Sequence, residues 1–138
     1  MELLSDFSDK LSIYNPSVSV MYPENQTVEV VDYGYLTSAL EAEFRPGHFD
    51  GMVDIVRRLF SHVQPDVAFF GQKDFQQLSI IRHFVRKEMI PISIVSCPII
   101  RQEDGLALSS RNARLSADER QTALGLSKSL NKLKQIVL

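Results

Sequence analysis

Residues 71–74, with the sequence Gly-Gln-Lys-Asp, are of types that could bind a phosphorylated ligand. Gly71 would let a ligand approach the backbone closely, Lys73 could bind a phosphate group, and Asp74 could accept hydrogen bonds from sugar hydroxyls. If a helix begins here, its free amides would also attract anions. The alternative is that Asp74 only caps that helix, with Gln77 as its capping-box partner, and spacing alone favours this alternative.

A second polar segment, Leu108-Ser109-Ser110-Arg111-Asn112, offers two hydroxyls and a guanidinium in succession. Donors of this kind could hold a triphosphate or its leaving group. The alternative is an ordinary polar loop before a helix, where serine and asparagine are common. The segment taken alone favours the ordinary loop.

The other reactive side chains form no recognisable catalytic pattern. His48, in the segment of residues 45–51, is a single histidine near a predicted helix start, which differs from a paired-histidine nucleotidyl-transfer motif. We interpret Glu103 and Asp104 as solvent-facing carboxylates of a polar loop. The sequence has no Ser-His-Asp pattern, Walker loop or dinucleotide-type glycine motif. Its single cysteine, Cys97, excludes a disulfide framework and a cysteine-based zinc site.

Two predicted strands and a helix would place the first polar segment at the edge of a sheet. Residues 66–70 form a short apolar run, which predicts a strand buried on both faces, and residues 92–96 predict another strand. Between them, an amphipathic helix beginning at Asp74 is predicted from apolar residues at helical spacing: Phe75, Leu78, Ile81 and Val85. Such a βαβ unit requires parallel strands, and parallel sheets bind ligands at the carboxyl ends of their strands.

An earlier segment predicts the strongest helix of the chain. Apolar residues recur at steps of three and four from Phe49 onward, and Gln64-Pro65 would end the helix. Asp54 and Arg58 lie one turn apart on the other face of this helix and are predicted to form an i,i+4 pair.

The remaining segments predict shorter or less regular elements. Residues 17–21 alternate between polar and apolar and predict a strand, and residues 27–31 are rich in β-branched residues and could form a second. Residues 98–112 are predicted to be irregular. Ser116 and Glu119 form a capping box that predicts the start of a last helix. Its apolar stripe consists of Ala123, Leu126, Leu130, Leu133 and Val137.

The composition is that of a soluble globular chain. The 138 residues are enough for one ordinary domain, and 44% of them are apolar and 23% charged, which excludes collagen-like, mucin-like and disordered classes. The formal net charge of −2 gives no indication of duplex nucleic-acid binding, and no apolar run is long enough to span a bilayer. The N-terminus has no signal-peptide pattern and there is one cysteine, so we expect a cytoplasmic protein without nucleic-acid or membrane partners.

Three blocks of sequence occur together: residues 44–49 (Phe-Arg-Pro-Gly-His-Phe), residues 71–78 (Gly-Gln-Lys-Asp-Phe-Gln-Gln-Leu) and residues 104–112 (Asp-Gly-Leu-Ala-Leu-Ser-Ser-Arg-Asn). In order and spacing they resemble the pantothenate synthetase (pantoate–β-alanine ligase) family, and the similarity extends from about Met21 to Leu130. Each block alone is modest evidence, but their joint occurrence is highly specific and outweighs the two alternatives favoured above. Gln72 stands where the family usually has Glu, and Leu108 where Met is common.

The resemblance implies an α/β, Rossmann-like fold with a parallel sheet of the nucleotidylyltransferase type. It implies an ATP-dependent ligase that condenses pantoate with β-alanine through a pantoyl adenylate. The ATP-binding residues implied are Gly71, Gln72, Lys73, Asp74, Ile100, Leu108, Ser109, Ser110 and Arg111. Lys73 would bind the phosphates, Asp74 the ribose and Ile100, through its backbone, the adenine, whereas Gln77 would hydrogen-bond pantoate. The implied catalytic residues, which would stabilise charge on the reacting phosphorus, are Lys73, Ser109, Ser110 and Arg111.

The resemblance also implies that the chain is a fragment. It covers about the middle half of the family's length, so we expect the family's first nucleotide-binding half before Met1 and most of its C-terminal domain after Leu138. We assign residues 1–98 to the second half of the Rossmann-like domain. Residues 99–138 would form the hinge, the mobile phosphate loop and the first helix of the C-terminal domain.

The family uses Mg²⁺ with ATP and is typically a homodimer, so both are expected of the whole enzyme. We assign no residue of this chain as a metal ligand, and we expect the chain alone to be inactive. The alternatives are a non-catalytic folding or dimerisation fragment and another adenylyltransferase of the same fold.

Overall fold

The computed structural model describes residues 9–23 and 27–137, which form six α-helices and a two-stranded parallel sheet. The chain divides into two compact units, Met1–Pro65 and Asp66–Leu138. The predicted boundary at residue 98 is a different division and stays a prediction. The N-terminal residues on which the signal-peptide prediction depended lie outside the described residues. Within the described ranges, no helix combines the length and the apolar composition needed to cross a membrane.

The helices of the first unit are three short ones and a long one. They are α1 (Val18–Met21), α2 (Tyr35–Ser38), α3 (Glu41–Phe44) and α4 (His48–Val63). Helix α4 confirms the prediction from apolar spacing, since its buried residues include Phe49, Met52, Val53, Val56 and Phe60. It ends at Val63 and is followed by its C-cap Gln64, whose positive φ of 49° and position before Pro65 both break the helical backbone.

The predicted i,i+4 pair of Asp54 and Arg58 on α4 is confirmed, and it is largely buried. Asp54 is only 4% exposed, and its two carboxylate oxygens accept from Nε and Nη2 of Arg58 at 2.8 and 3.1 Å. Arg58 also donates from Nη1 to the carbonyl oxygen of Met21 at 2.9 Å, and its guanidinium lies 4.7 Å from the ring centroid of Tyr22. The pair therefore joins α4 to α1.

Both strands predicted in the first unit are wrong. Residues 18–21 form the single helical turn α1, because the hydroxyl of Ser17 accepts from the amide of Val20 at 3.3 Å and caps the turn. Residues 27–31 form no strand. The amide of Val31 donates instead to Oδ1 of Asp50 at 2.9 Å, so a side chain takes the place of a neighbouring strand.

The second unit contains the predicted βαβ unit, formed by β1 (Val67–Gly71), α5 (Phe75–Lys87) and β2 (Ser93–Cys97). The strands are parallel, with Val67 opposite Ser93 and Gly71 opposite Cys97. Helix α5 supplies the most deeply buried side chains of this unit: Leu78, Ile80, Ile81 and Phe84.

The prediction that β1 is buried on both faces is wrong. Val67 and Phe69 are 42% and 67% exposed, whereas the alternate residues Ala68 and Phe70 are half-buried. Side chains alternate between the two faces of a strand. The described β1 is therefore covered on one face only.

The last segment of the unit is more regular than its sequence predicted. Residues 100–108 form a hairpin with an antiparallel bridge between Arg101 and Ala107, and a 3-10 helix (Ser110–Arg114) precedes α6 (Ala117–Val137). The predicted capping box is confirmed. The apolar stripe predicted in α6 is not the buried side of the helix. The buried residues of α6 are Leu124 and Ser127. The exposed members of the stripe are Leu126, Leu130, Leu133 and Val137.

Candidate functional site

The two polar segments singled out in the sequence each follow the carboxyl end of a strand, the first directly and the second after a hairpin. Gly71 ends β1 and lies opposite Cys97, which ends β2, so both strands finish at their carboxyl ends side by side. Residues 72–74 follow the first strand directly. Ile100 lies three residues beyond the second, and its carbonyl oxygen accepts from the amide of Leu108 at 2.8 Å. The hairpin therefore returns the second polar segment toward the strand end from which it departs.

Residues 72–74 form a 3-10 turn (Gln72–Asp74) that leads into α5. The carboxylate of Asp74 makes no capping hydrogen bond to α5, so the capping alternative is wrong for its side chain. Instead, Oδ1 of Asp74 lies 3.2 Å from Nζ of Lys73, and both side chains are accessible to solvent. A cation and a carboxylate are thus available beside the N-terminus of α5, where free amides and the helix dipole favour anions.

Gly71 has an extended backbone conformation that any residue could adopt. A Cβ atom at Gly71 would meet no atom within 4 Å, so the space beside the turn is open. The side chain of Gln72 is directed toward β2, with Nε2 3.4 Å from Oγ of Ser96. Gln77, the predicted pantoate contact, is half-buried in the first turn of α5.

The hairpin of residues 100–108 turns at Gly105, whose φ of +92° is in the region that favours glycine. The amide of Gly105 donates to the carbonyl oxygen of Gln102 at 2.9 Å, and the amide of Leu106 donates to Oδ1 of Asp104 at 3.1 Å. A turn followed by a glycine with positive φ is a common three-residue hairpin connection. The Asp-Gly pair in the sequence was the available signal for this turn.

The segment after the hairpin presents its polar groups to solvent. Ser109 caps the 3-10 helix, since its hydroxyl accepts from the amide of Arg111 at 3.2 Å. Ser110 and Arg111 are exposed. Two hydroxyls and a guanidinium are thus held within three residues at the start of a short helix, an arrangement that suits phosphate oxygens.

A network of side chains that sequence reasoning did not identify supports this segment. Nδ2 of Asn112 donates to Oε1 of Gln102 at 3.2 Å and to the carbonyl oxygen of Ala107 at 2.9 Å. The same Gln102 oxygen accepts from Nη2 of Arg120 at 2.9 Å, and Nε of Arg120 donates to Oδ2 of Asp104 at 2.8 Å. Asp104 is exposed, as predicted, and in addition it forms an ion pair with Arg120.

The same bonds shift the pKa of Asp104. Its pKa lies below the ordinary aspartate value, chiefly because the amide of Leu106 donates to the carboxylate and further because Arg120 donates to it. Asp104 is thus fixed as a charged acceptor at the hairpin turn at neutral pH.

The chemistry available at this edge of the sheet is anion binding and charge stabilisation. Lys73 and Arg111 supply positive charge, Ser109 and Ser110 supply hydroxyls, and α5 supplies free amides at its N-terminus. Among residues 9–23 and 27–137, no group of three or more His, Cys, Asp or Glu side chains is placed to hold a metal ion. The groups described fit a ligand that brings its own negative charge.

The first block of the family resemblance, residues 44–49, lies in the other unit. Gly47 has a φ of +74° and precedes His48, the first residue of α4. Arg45 forms an ion pair with Glu41 one turn earlier. This block forms the junction of α3 and α4.

Residues 1–137 match the model of the family described as pantoate-beta-alanine ligase. The chain is 56% identical over 119 residues to the pantothenate synthetase of Bacteroides fragilis, which is 86% of this chain and 42% of that protein. It is 51% identical over 117 residues to the pantothenate synthetase of Aquifex aeolicus, covering 85% of this chain and 41% of that one. The chain therefore spans less than half the length of these curated relatives.

Solved structures give the same result. The crystal structure of pantothenate synthetase from Thermus thermophilus matches with a TM-score of 0.82 and 45% identity, covering 88% of this chain and 44% of that one. The pantoate-beta-alanine ligase from Francisella tularensis, crystallised in complex with beta-gamma ATP and beta-alanine, matches with a TM-score of 0.83 and 32% identity. That match covers 94% of this chain and 49% of the other.

Proposed function

Because the chain belongs to the pantoate–β-alanine ligase family, we propose that it supplies part of the ATP site of an enzyme that joins pantoate to β-alanine. The observation that carries the proposal is that residues 71–74 follow the carboxyl end of β1, while a hairpin that begins just after the neighbouring end of β2 leads to residues 108–111. Parallel α/β sheets bind their ligands at this edge. The exposed cations and hydroxyls there are suited to a triphosphate.

The proposed reaction has two steps. A carboxylate oxygen of pantoate attacks the α-phosphorus of ATP, the bond from that phosphorus to the β-phosphate oxygen breaks, and pyrophosphate leaves with the bonding electrons. The products are pantoyl adenylate and pyrophosphate. The amine of β-alanine then attacks the acyl carbon of the adenylate, AMP leaves with the electrons of the acyl–oxygen bond, and the amine loses a proton to give pantothenate.

The residues of this chain would position groups and stabilise charge in these steps. Negative charge develops on the phosphate oxygens, which would accept hydrogen bonds from Lys73, Ser109, Ser110 and Arg111. Asp74 would accept from the ribose hydroxyls once Lys73 moves from it to the phosphates. These residues would act by electrostatic stabilisation, with no proton transfer of their own.

The remaining contacts would select the substrates. The backbone of Ile100 would face the adenine, Gly71 and Gln72 would approach ATP through their main chain, and Leu108 would begin the phosphate loop. Gln77 would hydrogen-bond pantoate from the first turn of α5. The half-buried position of Gln77 supports a contact with a small, oriented ligand.

The proposal extends to the whole enzyme. Mg²⁺ would enter as its complex with ATP, because magnesium is usually held by substrate phosphates with few protein ligands. We also propose that the whole enzyme is a homodimer and works in the cytoplasm, on the basis of the family resemblance and of the single cysteine, which suits a reducing compartment. Sedimentation of the whole enzyme tests the dimer.

The function is tested in a chimera of full family length, made by replacing the matching stretch of the B. fragilis relative with this chain. The assay measures AMP release with ATP, Mg²⁺, pantoate and β-alanine, and each substrate is omitted in turn. In the presence of ATP and Mg²⁺, we expect AMP release to require both pantoate and β-alanine. Pyrophosphate release should require pantoate but not β-alanine. The 138-residue chain alone should show no measurable turnover, because groups acting as one constellation lose most of the rate when part of it is missing.

Two results would contradict the proposal. A folded chimera that binds ATP but releases no pyrophosphate with pantoate would mean that this segment does not support the ligase reaction, and it would favour another adenylyltransferase. Turnover by the chain alone at the rate of the chimera would contradict the prediction that the fragment is inactive.

A further inference from the structure

We propose that Asn112, oriented by Gln102 and Arg120, is the positioning residue that closes the phosphate loop of residues 108–111 and holds it against the hairpin. The inference rests on the proposed function, because it is that function which gives the loop its ligand. None of these three side chains is assigned a contact with ATP. Their role would be to hold the residues that are.

The hydrogen bonds of Asn112 enclose the proposed ATP-binding residues. Its Nδ2 donates to the carbonyl oxygen of Ala107, the residue immediately before the loop, at 2.9 Å. Residues 108–111 are therefore the four residues between the two ends of this bond. The amide of Asn112 adds a bond within the loop, to the carbonyl oxygen of Ser109 at 3.1 Å.

The loop is also fixed at its start. The amide of Leu108 donates to the carbonyl oxygen of Ile100, the residue proposed to face the adenine. Ile100 follows Pro98 and Cys97 at the end of β2. The bond to Ile100, three residues after β2, thus fixes the start of the loop, and the bond of Asn112 to Ala107 closes it.

The donors and acceptors of this network admit only one orientation. Arginine has only donors, so the Gln102 atom facing Arg120 must be the oxygen Oε1. That oxygen and the carbonyl of Ala107 both accept, so the Asn112 atom facing them must be the nitrogen. The side chain at position 112 must therefore donate, whereas the side chain at position 102 must accept.

Arg120 connects this arrangement to α6. It donates to Gln102 with one nitrogen and to Asp104, at the hairpin turn, with another, and its side chain is 31% exposed. The hairpin tip lies near the same helix, since a Cβ on Gly105 would be 3.6 Å from Oγ of Ser127. Helix α6 thus provides the rigid element on which the loop is oriented.

The consequence for binding is preorganisation. Ordering an exposed loop when a ligand binds costs conformational entropy for every residue fixed. A loop already closed by Asn112 avoids part of that cost and holds Ser109, Ser110 and Arg111 near one geometry. Opening the loop should therefore weaken nucleotide binding without changing the side chains that contact the nucleotide.

The test compares two nearly isosteric substitutions in this chain. Asn112→Asp replaces the required donor with a carboxylate facing two acceptors. Gln102→Glu keeps the required acceptor and should strengthen its bond to Arg120. The control for the change of charge is Asn131→Asp, at an exposed position of α6.

Two quantities are measured for each variant: the hydrogen-exchange rates of the Leu108 and Asn112 amides, and the Kd for ATP with Mg²⁺ by NMR titration. Asn112→Asp should accelerate exchange at both amides and weaken ATP binding, each by about tenfold or more, the factor expected from losing two hydrogen bonds. Gln102→Glu and Asn131→Asp should stay within about twofold of the unchanged chain. Exchange within α5 should be the same in every variant, which shows that the effect is local.

If Asn112→Asp fails to fold, Asn112→Ala removes the same donors without adding charge and should give the same result. Unchanged exchange at Leu108 and Asn112 would overturn the inference. So would faster exchange with unchanged ATP affinity, because the loop would then be closed by Asn112 without serving the nucleotide. If the chain alone does not bind ATP, the Kd values are measured in the chimera of full family length. A folded chimera that does not bind ATP would contradict the proposed ATP site, and the exchange rates would then decide alone whether Asn112 closes the loop.

Discussion

Lys73 is the residue whose replacement should affect the proposed chemistry most directly. In the chimera of full family length, Lys73→Met should lower kcat about 100-fold or more, because it removes a positioned donor to the reacting phosphates. Asp74→Asn should act differently. It removes the proposed acceptor for the ribose and should mainly raise the KM for ATP, by about tenfold or more.

The competing effect is the ion pair that Lys73 forms with Asp74 when no nucleotide is bound, and the structure indicates its size. Nζ of Lys73 lies 3.2 Å from Oδ1 of Asp74, with side chains 37% and 61% exposed. An ion pair this exposed contributes only about 0–1 kcal/mol. Moving Lys73 from Asp74 to a phosphate therefore costs at most about fivefold in affinity, whereas one positioned donor stabilises a transition state by about 3–4 kcal/mol. The cost arises when ATP binds and therefore lowers affinity only. The full transition-state stabilisation remains in kcat, so the substitution should lower kcat by about 100-fold or more.

The assay is coupled AMP release, run over a range of ATP concentrations so that kcat and KM are obtained separately. Lys132→Met is the matched control, since Lys132 is an exposed lysine of α6 outside the candidate site. It should leave both constants within about twofold of the unmutated chimera. Circular dichroism of each variant checks that the fold is retained.

The reasoning would be refuted if folded Lys73→Met kept kcat within about threefold of the chimera, because Lys73 would then make no important contact in the transition state. It would also be refuted if Asp74→Asn lowered kcat as much as Lys73→Met while leaving the KM for ATP unchanged. That result would place the two residues in one charge-stabilising role in place of the separate roles assigned here.

Three further predictions concern substrate choice and stability. Gln77→Ala in the chimera should raise the KM for pantoate about tenfold and leave that for ATP within about twofold, since its proposed partner is the acid; equal losses would contradict that role. Arg58→Met should lower the free energy of unfolding of the chain by about 3 kcal/mol or more in urea titrations, because it leaves the buried Asp54 carboxylate without its partner; a loss under about 1 kcal/mol would contradict this. The pKa values of Asp104 and Glu119 are lowered, chiefly by hydrogen bonds from the amides of Leu106 and Ser116, so both carboxylates stabilise the fold above their ordinary pKa values and lose that effect as the pH falls below about 4. Thermal melts between pH 7 and 3 should therefore show a smaller fall for Glu119→Gln than for the unchanged chain, and identical profiles would contradict the assignment.

The elements that the sequence predicted correctly depend on local patterns. Helix α4 follows from apolar residues at steps of three and four, and its end at Val63 follows from Pro65. The capping box needs only Ser116 and Glu119, which lie within one turn of each other. The βαβ unit follows from the change of period between neighbouring segments. In each case the deciding interactions join residues close together in the chain.

The wrong predictions have different causes, and some of them depend on residues far apart in the chain. The alternation of residues 17–21 is too short to distinguish a strand from a capped turn, and the hydroxyl of Ser17 decides in favour of the turn. Val31 forms no strand because its amide bonds to Asp50, 19 residues away. Apolar composition alone predicted a fully buried β1, but burial depends on what covers each face, and Phe69 remains exposed.

The candidate site shows the same division. Residue types, together with the family resemblance, were sufficient to single out Lys73, residues 108–111 and the order in which they occur. Sequence could not show that Arg120 reaches Asp104 across 16 residues and shares Gln102 with Asn112, because no spacing rule links a helix residue to a hairpin turn. That network exists only once the hairpin and α6 have packed together. The sequence thus indicated which groups are proposed to bind a phosphate, and only the tertiary structure, by bringing distant donors and acceptors within hydrogen-bonding distance, decided how the side chains around them are bonded.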